Sequence, residues 1–318
     1  MKILVTGGAG FIGSHVADAF LALGHEVVVI DDLSSGRREN VPSAARFVQL
    51  DIRDQAAVER LLAETQFDAI SHQAAQTSVA VSTREPVRDA QINVLGTIHL
   101  LEAAVKTGVR HVVFASTGGA IYGEVPEPDK ATLDTPQRPL SPYACSKLAC
   151  EAYLRRYAHD YPLKTTVLRY ANVYGPRQDP HGEAGVVAIF TQRLMANEPI
   201  RVNARKAEGD AGCVRDYVFV GDVVKANVRA LTGEITLPVV HCASGIETTT
   251  RVLAERIEAA LVSSGLEVKA TIGVAPRREG DVERSVLEPT FEATGAAPTA
   301  LEAGLAATVE WFRERANR

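Results

Sequence analysis

Tyr143 and Lys147 stand four residues apart in SPYACSK. On a helix they share one face, a turn apart. A phenol normally titrates near pH ~10, and an ammonium group beside it favours the phenolate. Such a pair can take the proton of an alcohol, which becomes an oxidation only where a hydride leaves the same carbon. The chain opens with what a hydride acceptor of the dinucleotide type requires. Gly7, Gly10 and Gly13 follow an apolar run with GxxGxxG spacing. The first glycine permits a tight turn, the second lets the backbone approach a pyrophosphate, and the third packs helix against sheet. The helix amides after them face the phosphates. Between the two signals lie Ser116 and Thr117, hydroxyls able to bind a substrate oxygen and relay a proton. Alone, YxxxK reads better as a core tyrosine and a surface lysine. After the glycines and the hydroxyls, in that order, it predicts a nicotinamide enzyme acting on an alcohol carbon.

Asp31 lies 21 residues beyond Gly10, at the end of the next apolar run, where a carboxylate accepts both ribose hydroxyls. It disfavours the extra phosphate of NADP, so the expected cofactor is NAD. Asp32 adds negative charge there, while Arg37 and Arg38 act the other way. Asp51, at another strand end, can bind an adenine edge or serve as a helix N-cap.

The elements that must hold these groups are legible in outline. Residues 3–6, 26–30, 47–50, 69–72, 109–115 and 165–169 read as strands, and 11–23, 56–64, 93–106 and 143–159 as helices. Their alternation predicts an α/β, doubly wound parallel sheet with helices on both faces and right-handed crossovers. Beyond Tyr170 the pattern loosens. Loops are expected over 176–185 and 276–280, helices over 186–196, 249–261 and 301–313, and a short strand over 200–202. A strand end and helix fill 218–231, and 239–242 returns to the main sheet. The reading is a Rossmann-type domain over 1–170, completed by segments near 215–245, with a smaller substrate-binding lobe, mostly 171–318, interleaved with it.

Composition narrows the class. Of the 318 residues 46% are apolar and 23% charged, and the net charge of -5 comes without a long basic run, which argues against a nucleic-acid partner. No run is long enough to cross a bilayer. The N-terminal stretch reads as a strand running into glycines rather than a signal sequence. Cys145, Cys150, Cys213 and Cys242 lack paired CxxC spacing, so no metal site is expected, and they read as reduced thiols of a cytoplasmic protein.

TGGAGFIGSHV, HQAAQTSV, STGGAIYGE, SPYACSK, RYANVYGPRQDP and VRDYVFVGDV occur in an order that resembles the extended short-chain dehydrogenase/reductases, most nearly their UDP-glucose 4-epimerase group. The resemblance covers nearly the whole chain. It implies Tyr143 as base, Lys147 as its activator and ribose ligand, and Thr117 as the hydroxyl partner. One extra residue before the pair, relative to some epimerases, leaves that partner as Ser116 or Thr117. Ser116 would line the nicotinamide pocket, Ala74 and Ala75 the pyrophosphate path, and Asn93 would brace the local backbone. Phe11, Ile12, Ser35, Gly36, Ile52, Gln73, Gln76 and Tyr170 complete the implied cofactor site. Asn172, Val186, Val187, Arg215, Arg278 and Asp281 would hold a UDP-sugar, and guanidinium groups suit its diphosphate. Ser285 stands where glucose-only members carry a bulky tyrosine, which would open room for UDP-GalNAc and UDP-GlcNAc.

The implied reaction takes the 4-hydroxyl proton while the C4 hydride passes to bound NAD. The 4-keto sugar then rotates and is reduced on its other face. Related 4,6-dehydratases carry an acid pair where this chain has Gly118 and Gly119, and related decarboxylases a glutamate nearby, for which Glu124 is a poor substitute. A glucuronate 4-epimerase or an idle Rossmann-type binding protein are the remaining alternatives. The resemblance also implies a homodimer through the helices over 89–106 and 143–159, whose apolar residues Leu100, Leu148 and Tyr153 either face the partner or serve only the monomer core.

Overall fold

The computed structural model describes residues 1–180, 185–278 and 281–316. The expected loops over 176–185 and 276–280 therefore lie partly outside the described residues, and Gly280 wholly so.

The first half of the chain runs β1 (Lys2–Thr6), α1 (Phe11–Ala22), β2 (Glu26–Asp31), β3 (Arg46–Gln49), α2 (Gln55–Thr65), β4 (Ala69–His72), α3 (Val79–Arg84) and α4 (Pro86–Ala90). Then come α5 (Gly96–Thr107), β5 (His111–Thr117), α6 (Gly118–Ile121), α7 (Pro142–Asp160) and β6 (Lys164–Tyr170). The second half continues with β7 (Asn172–Tyr174), α8 (Val186–Met195), β8 (Ile200–Asn203), β9 (Val214–Phe219), α9 (Val220–Thr232) and β10 (Val239–Cys242). It ends with β11 (Glu247–Thr249), α10 (Thr250–Ser263), β12 (Ile272–Ala275), β13 (Arg284–Ser285), α11 (Phe291–Thr294) and α12 (Leu301–Ala316).

Seven parallel strands form the main sheet in the order β10–β6–β5–β4–β1–β2–β3. Both its faces are covered, so its strands are continuously apolar rather than alternating. Ile3 and Val5 join Phe20 of α1 and Val223 of α9 in one core. Leu4 between them joins Leu62 of α2, Leu101 of α5 and Leu154 of α7 in the other. The strand order reverses between β1 and β4, and such a switch opens a crevice at the carboxyl ends of the strands. That crevice is where the glycine turn and the end of β5 meet. The doubly wound fold is thus as expected, and β10 does return to the main sheet beside β6.

The expected helix over 93–106 is present, and its first turn departs from α geometry. A π-helical turn, Gln91–Leu95, joins α4 to α5; such turns often mark functional positions. Beyond Tyr170, β9 pairs with β7, β11 and β13, and β8 pairs with β12. Tyr174, Phe190, Leu253 and Leu305 make a third core beneath them. The strands β7, β11 and β13 carried no periodic signal because each spans three residues or fewer, and the four-residue β12 was not expected either. Among the described residues no helix is long and apolar enough to cross a membrane.

Candidate active site

One cavity of about 1270 Å³ runs along the carboxyl ends of the main sheet into the smaller lobe. It exceeds the ~300–1,000 Å³ usual for one small ligand. Its walls hold nearly every residue singled out above.

At the cofactor end, Gly7 adopts φ +67° and packs so closely that a Cβ there would lie 2.7 Å from the Ala74 nitrogen. A Cβ on Gly13 would meet the Gly7 carbonyl oxygen at 2.2 Å, backbone against backbone, with nothing flexible to yield. Gly13→Ala is therefore expected to lose retained NAD and to melt lower. Nucleotide released on denaturation measures the first, and full NAD content at the wild-type melting temperature would contradict the assignment. Asp31 ends β2, is 8% exposed, and accepts from the amides of Ala9 (3.0 Å) and Leu33 (2.9 Å). Burial raises its pKa against those two bonds. Of the two arginines that could favour NADP, Arg37 donates to Asp179 (3.3 Å) and Arg38 lies 4.6 Å over the Phe47 ring.

Phe11, Ile12, Gly10, Asp32, Ser35, Ile52, Gln73, Ala74, Ala75, Gln76 and Tyr170 all line the cavity. Asp51 lines it too, its carboxylate accepting from the Arg53 amide at 2.9 Å. The N-cap alternative fails for Asp51, because Asp54 caps α2 through the Ala57 amide at 3.0 Å. Two expected cofactor residues are not on the wall. Gly36 sits behind it, where a Cβ would press on the Asp31 carboxylate at 2.7 Å. Asn93, in the π-helical turn, accepts from the Gln76 amide (2.9 Å) and donates to its carbonyl (3.0 Å), bracing that loop from behind.

At the chemical centre, Ser141 caps α7 by accepting from the Ala144 amide (3.2 Å), and Pro142 occupies the first turn. Both are favoured helix starts, and they place Tyr143 at the cavity with Lys147 a turn deeper. Thr117, the last residue of β5, lies beside the Tyr143 phenol, where its hydroxyl acts to lower that group's pKa. Ser116 turns elsewhere: its hydroxyl donates to Glu151 Oε1 at 2.5 Å. The geometry thus gives Thr117 to the tyrosine and Ser116 to the buried carboxylate.

The expected depression of the phenol pKa is not found in the protein alone. Burial holds Tyr143 up at about 12, the Thr117 hydroxyl opposes this, and Asp89 and Cys150 add to it. Lys147 Nζ donates to the Ala115 carbonyl (2.8 Å), lies 4.7 Å from the Phe114 ring centroid, and stays 6.0 Å from that of Tyr143. Burial also brings this lysine down to about 8.

At the far end, Asn172, Val186, Val187, Arg215, Arg278 and Asp281 line the cavity. Asn172 Nδ2 donates to the Asp216 carbonyl at 3.1 Å. Ser285 is a correction: it is 2% exposed, off the wall, and donates to the Gly119 carbonyl at 3.0 Å. Its small size packs β13 behind Gly119 rather than enlarging the sugar end. Glu124 is also elsewhere. It accepts from the amides of Glu283 and Arg284 (2.7 and 3.2 Å) beside a separate cavity of about 510 Å³. At the two positions where dehydratases carry acids, a Cβ on Gly118 would strike Leu287 at 2.2 Å, while Gly119 faces Asn172.

Several wall residues went unread in the sequence, among them Phe190, Arg201, Asn203, Tyr217 and Thr250. Arg201 and Asn203 alternate on β8, the strand expected over 200–202, but nothing in its residues says which face meets the cavity.

The sequence profile of the NAD dependent epimerase/dehydratase family matches residues 3–237. The chain is 47% identical over 325 residues to a UDP-glucose 4-epimerase of Mycolicibacterium smegmatis, covering 100% of both chains. It superimposes on the crystal structure of a Thermus thermophilus UDP-glucose 4-epimerase in complex with NAD at a TM-score of 0.92. The identity is 49%, with 98% of this chain and 99% of that one covered. For the Thermotoga maritima UDP-glucose 4-epimerase with UDP-glucose, the TM-score is 0.91 and the identity 44%, with 99% and 100% covered. With a profile match running from the first strand nearly to the last of the main sheet, and full-length likeness on either side of it, the chain belongs to the NAD dependent epimerase/dehydratase family.

Proposed function

We propose that this chain interconverts UDP-galactose and UDP-glucose by inverting C4 of the sugar, with retained NAD. The observation that carries the reading is the placing of Thr117, Tyr143 and Lys147 between two halves of one cavity. One half holds the glycine turn and Asp31, the other Arg215 and Arg278. The likeness to an epimerase solved with NAD and to another solved with UDP-glucose supports both ligands.

NAD when bound supplies the hydride acceptor and donor and the positive charge of its oxidised ring. The glycine turn and the loop from Gln73 to Gln76 hold its pyrophosphate, and Asp31 its adenosine ribose. Lys147 holds the second ribose and keeps a cation in the buried site. Tyr143 accepts the 4-hydroxyl proton as its phenolate, a form that the Lys147 ammonium and the positive charge of the bound oxidised ring would favour and to which the Thr117 hydroxyl donates until the proton arrives. Arg215 and Arg278 grip the diphosphate by paired hydrogen bonds, so the 4-keto sugar can turn about that link. Tyr143 then returns its proton to the oxygen on the opposite face. With glycine at both 118 and 119, those positions offer the keto sugar no acid to draw it into dehydration.

The chain is further proposed to form a homodimer through α5 and α7. Tyr153 of α7 is 40% exposed and Leu95, just before α5, 48%. Leu100 and Leu148 do not serve this face: Leu100 is buried in one core of the monomer and Leu148 packs against the other.

The test is a product assay on the purified protein without added cofactor. UDP-galactose is expected to yield UDP-glucose, and the same preparation to sediment as a dimer. No conversion, with or without added NAD, would remove the assignment. UDP-GalNAc in parallel reports whether the wall admits a 2-acetamido group.

A further inference from the structure

Behind the catalytic wall lies a chain of buried polar groups that the mechanism above does not use. Ser116, 4% exposed, lines the cavity and gives its only proton to Glu151 of α7. The side chain of Glu151 is 7% exposed and that of Arg169, on β6, 6%. Arg169 grips the carboxylate at both oxygens, Nε to Oε1 at 3.0 Å and Nη2 to Oε2 at 2.6 Å. Its remaining Nη1 donates to the Tyr122 hydroxyl. Tyr122 Oη meets His241 Nε2 at 2.6 Å, and His241 Nδ1 meets the Glu288 carbonyl at 2.8 Å.

Every donor sense in this chain is determined. The Glu288 carbonyl can only accept, so His241 carries its proton on Nδ1 and leaves Nε2 to accept from Tyr122. Tyr122 then accepts from Arg169, and Glu151 accepts from Arg169 at both oxygens and from Ser116 at Oε1. A buried charge pair of this kind is a weak source of stability, since apolar replacements of similar size often do as well. Its attested use is to specify an arrangement. The arrangement specified here ends at the cavity: with its proton committed, Ser116 can present only lone pairs.

We propose that Glu151, locked by Arg169, is a positioning residue that holds the Ser116 hydroxyl as an obligate acceptor toward the nicotinamide end of the site. An N–H donor, such as the carboxamide of a nicotinamide, meets a single fixed partner there, and the ring is oriented before the sugar arrives. The inference rests on the epimerase reading, so wild-type conversion of UDP-galactose is measured first; failure there removes the reading, not this detail of it.

The test replaces the charge pair by apolar groups, Glu151→Met with Arg169→Met, so that no buried charge is orphaned. The double variant is expected to fold and bind NAD, with KM for UDP-galactose near wild type and kcat lowered roughly ten- to a hundredfold, the size of a misplaced reacting group. NAD should also leave the holoenzyme faster, followed as released nucleotide after dilution. Adding Ser116→Ala to the pair should cost nothing beyond what Ser116→Ala costs alone, because the carboxylate acts through that hydroxyl. Should the double variant fail to fold, Glu151→Gln takes its place. The amide oxygen still accepts from Arg169 Nη2, while the amide NH2 takes the place of Oε1 and turns to Ser116. This reverses the donor sense of that hydroxyl at the loss of the Arg169 Nε bond, with the same kcat and release changes expected. Unchanged kcat and NAD release in a folded variant would overturn the proposal, leaving Glu151 as a core ion pair. So would losses that multiply when Ser116→Ala is combined with the pair.

Discussion

Tyr143→Phe is expected to lower kcat for UDP-galactose by roughly 10²–10⁴-fold, the usual contribution of a positioned acid/base group, while NAD stays bound. The substitution removes one oxygen. The ring keeps its place at the start of α7, because Ser141 caps that helix and Pro142 shapes its first turn. The cofactor half of the cavity is built from other segments, the glycine turn and the β2 and β4 ends, so its contents should be untouched. The Thr117 hydroxyl loses the oxygen beside it, but the cavity it faces offers room for water. Stability should therefore change little, and above the ordinary phenol range it should gain. A phenol held at about 12 stays protonated in the folded chain while the unfolded chain loses its proton. Folding of the wild type thus weakens between the free-tyrosine value and about 12. Turnover near wild type in a folded, NAD-loaded Tyr143→Phe protein would sink the assigned base.

Lys147→Met should be nearly as damaging to turnover yet harmless, or favourable, to the fold. The wild-type ammonium is buried with the Ala115 carbonyl as its hydrogen-bond acceptor and a phenylalanine face beside it. Burial lowers its pKa to about 8, whereas the unfolded chain has an ordinary lysine. Below about 8 the group is charged in both states, and the cost of burying that charge is present in full. Between about 8 and the free-lysine value the unfolded chain holds a proton that the folded chain has released. Stability attributable to this group therefore rises with pH across that window. Methionine fills the same space without the charge, at the loss of one bond to a carbonyl. The variant's melting temperature is thus expected to equal or exceed that of wild type near neutral pH, with its relative advantage shrinking as pH approaches the free-lysine value. Activity should fall by roughly 10²-fold or more, since the site loses its fixed cation and ribose ligand. A variant that melts lower at neutral pH and gains on wild type as pH rises would reverse the assigned cost of burial.

Both predictions show the trade between function and stability that a buried, poorly compensated site carries. The remaining chemistry of the wall follows the same logic. Gly7 and Gly13 are held where any side chain collides with backbone, and Asp31 is kept in place by two amides despite its burial.

Much of this was legible in residue order. The glycine spacing, the acid after β2, the hydroxyls ending β5 and the Tyr–Lys step on α7 are short-range devices. Each works through neighbours within a turn or a strand, so spacing alone determines it. The alternation of apolar runs likewise determined the doubly wound sheet, since strands buried on both faces cannot be mistaken for amphipathic ones. The tertiary structure decided everything that depends on partners far apart in the chain. Ser116 and Thr117 are adjacent and chemically alike; they diverge only because β5 turns one toward Glu151 and the other toward Tyr143. Ser285 looked like an open pocket until β13 placed it behind Gly119. Leu100 could have faced a partner or the core, and packing among α2 and the sheet gave it to the core. The phenol pKa moved against expectation because burial, which no spacing records, outweighs a lysine whose ammonium is bonded to the Ala115 carbonyl. Local chemistry is written in intervals along the chain, whereas desolvation and long-range hydrogen bonding exist only once distant elements have packed.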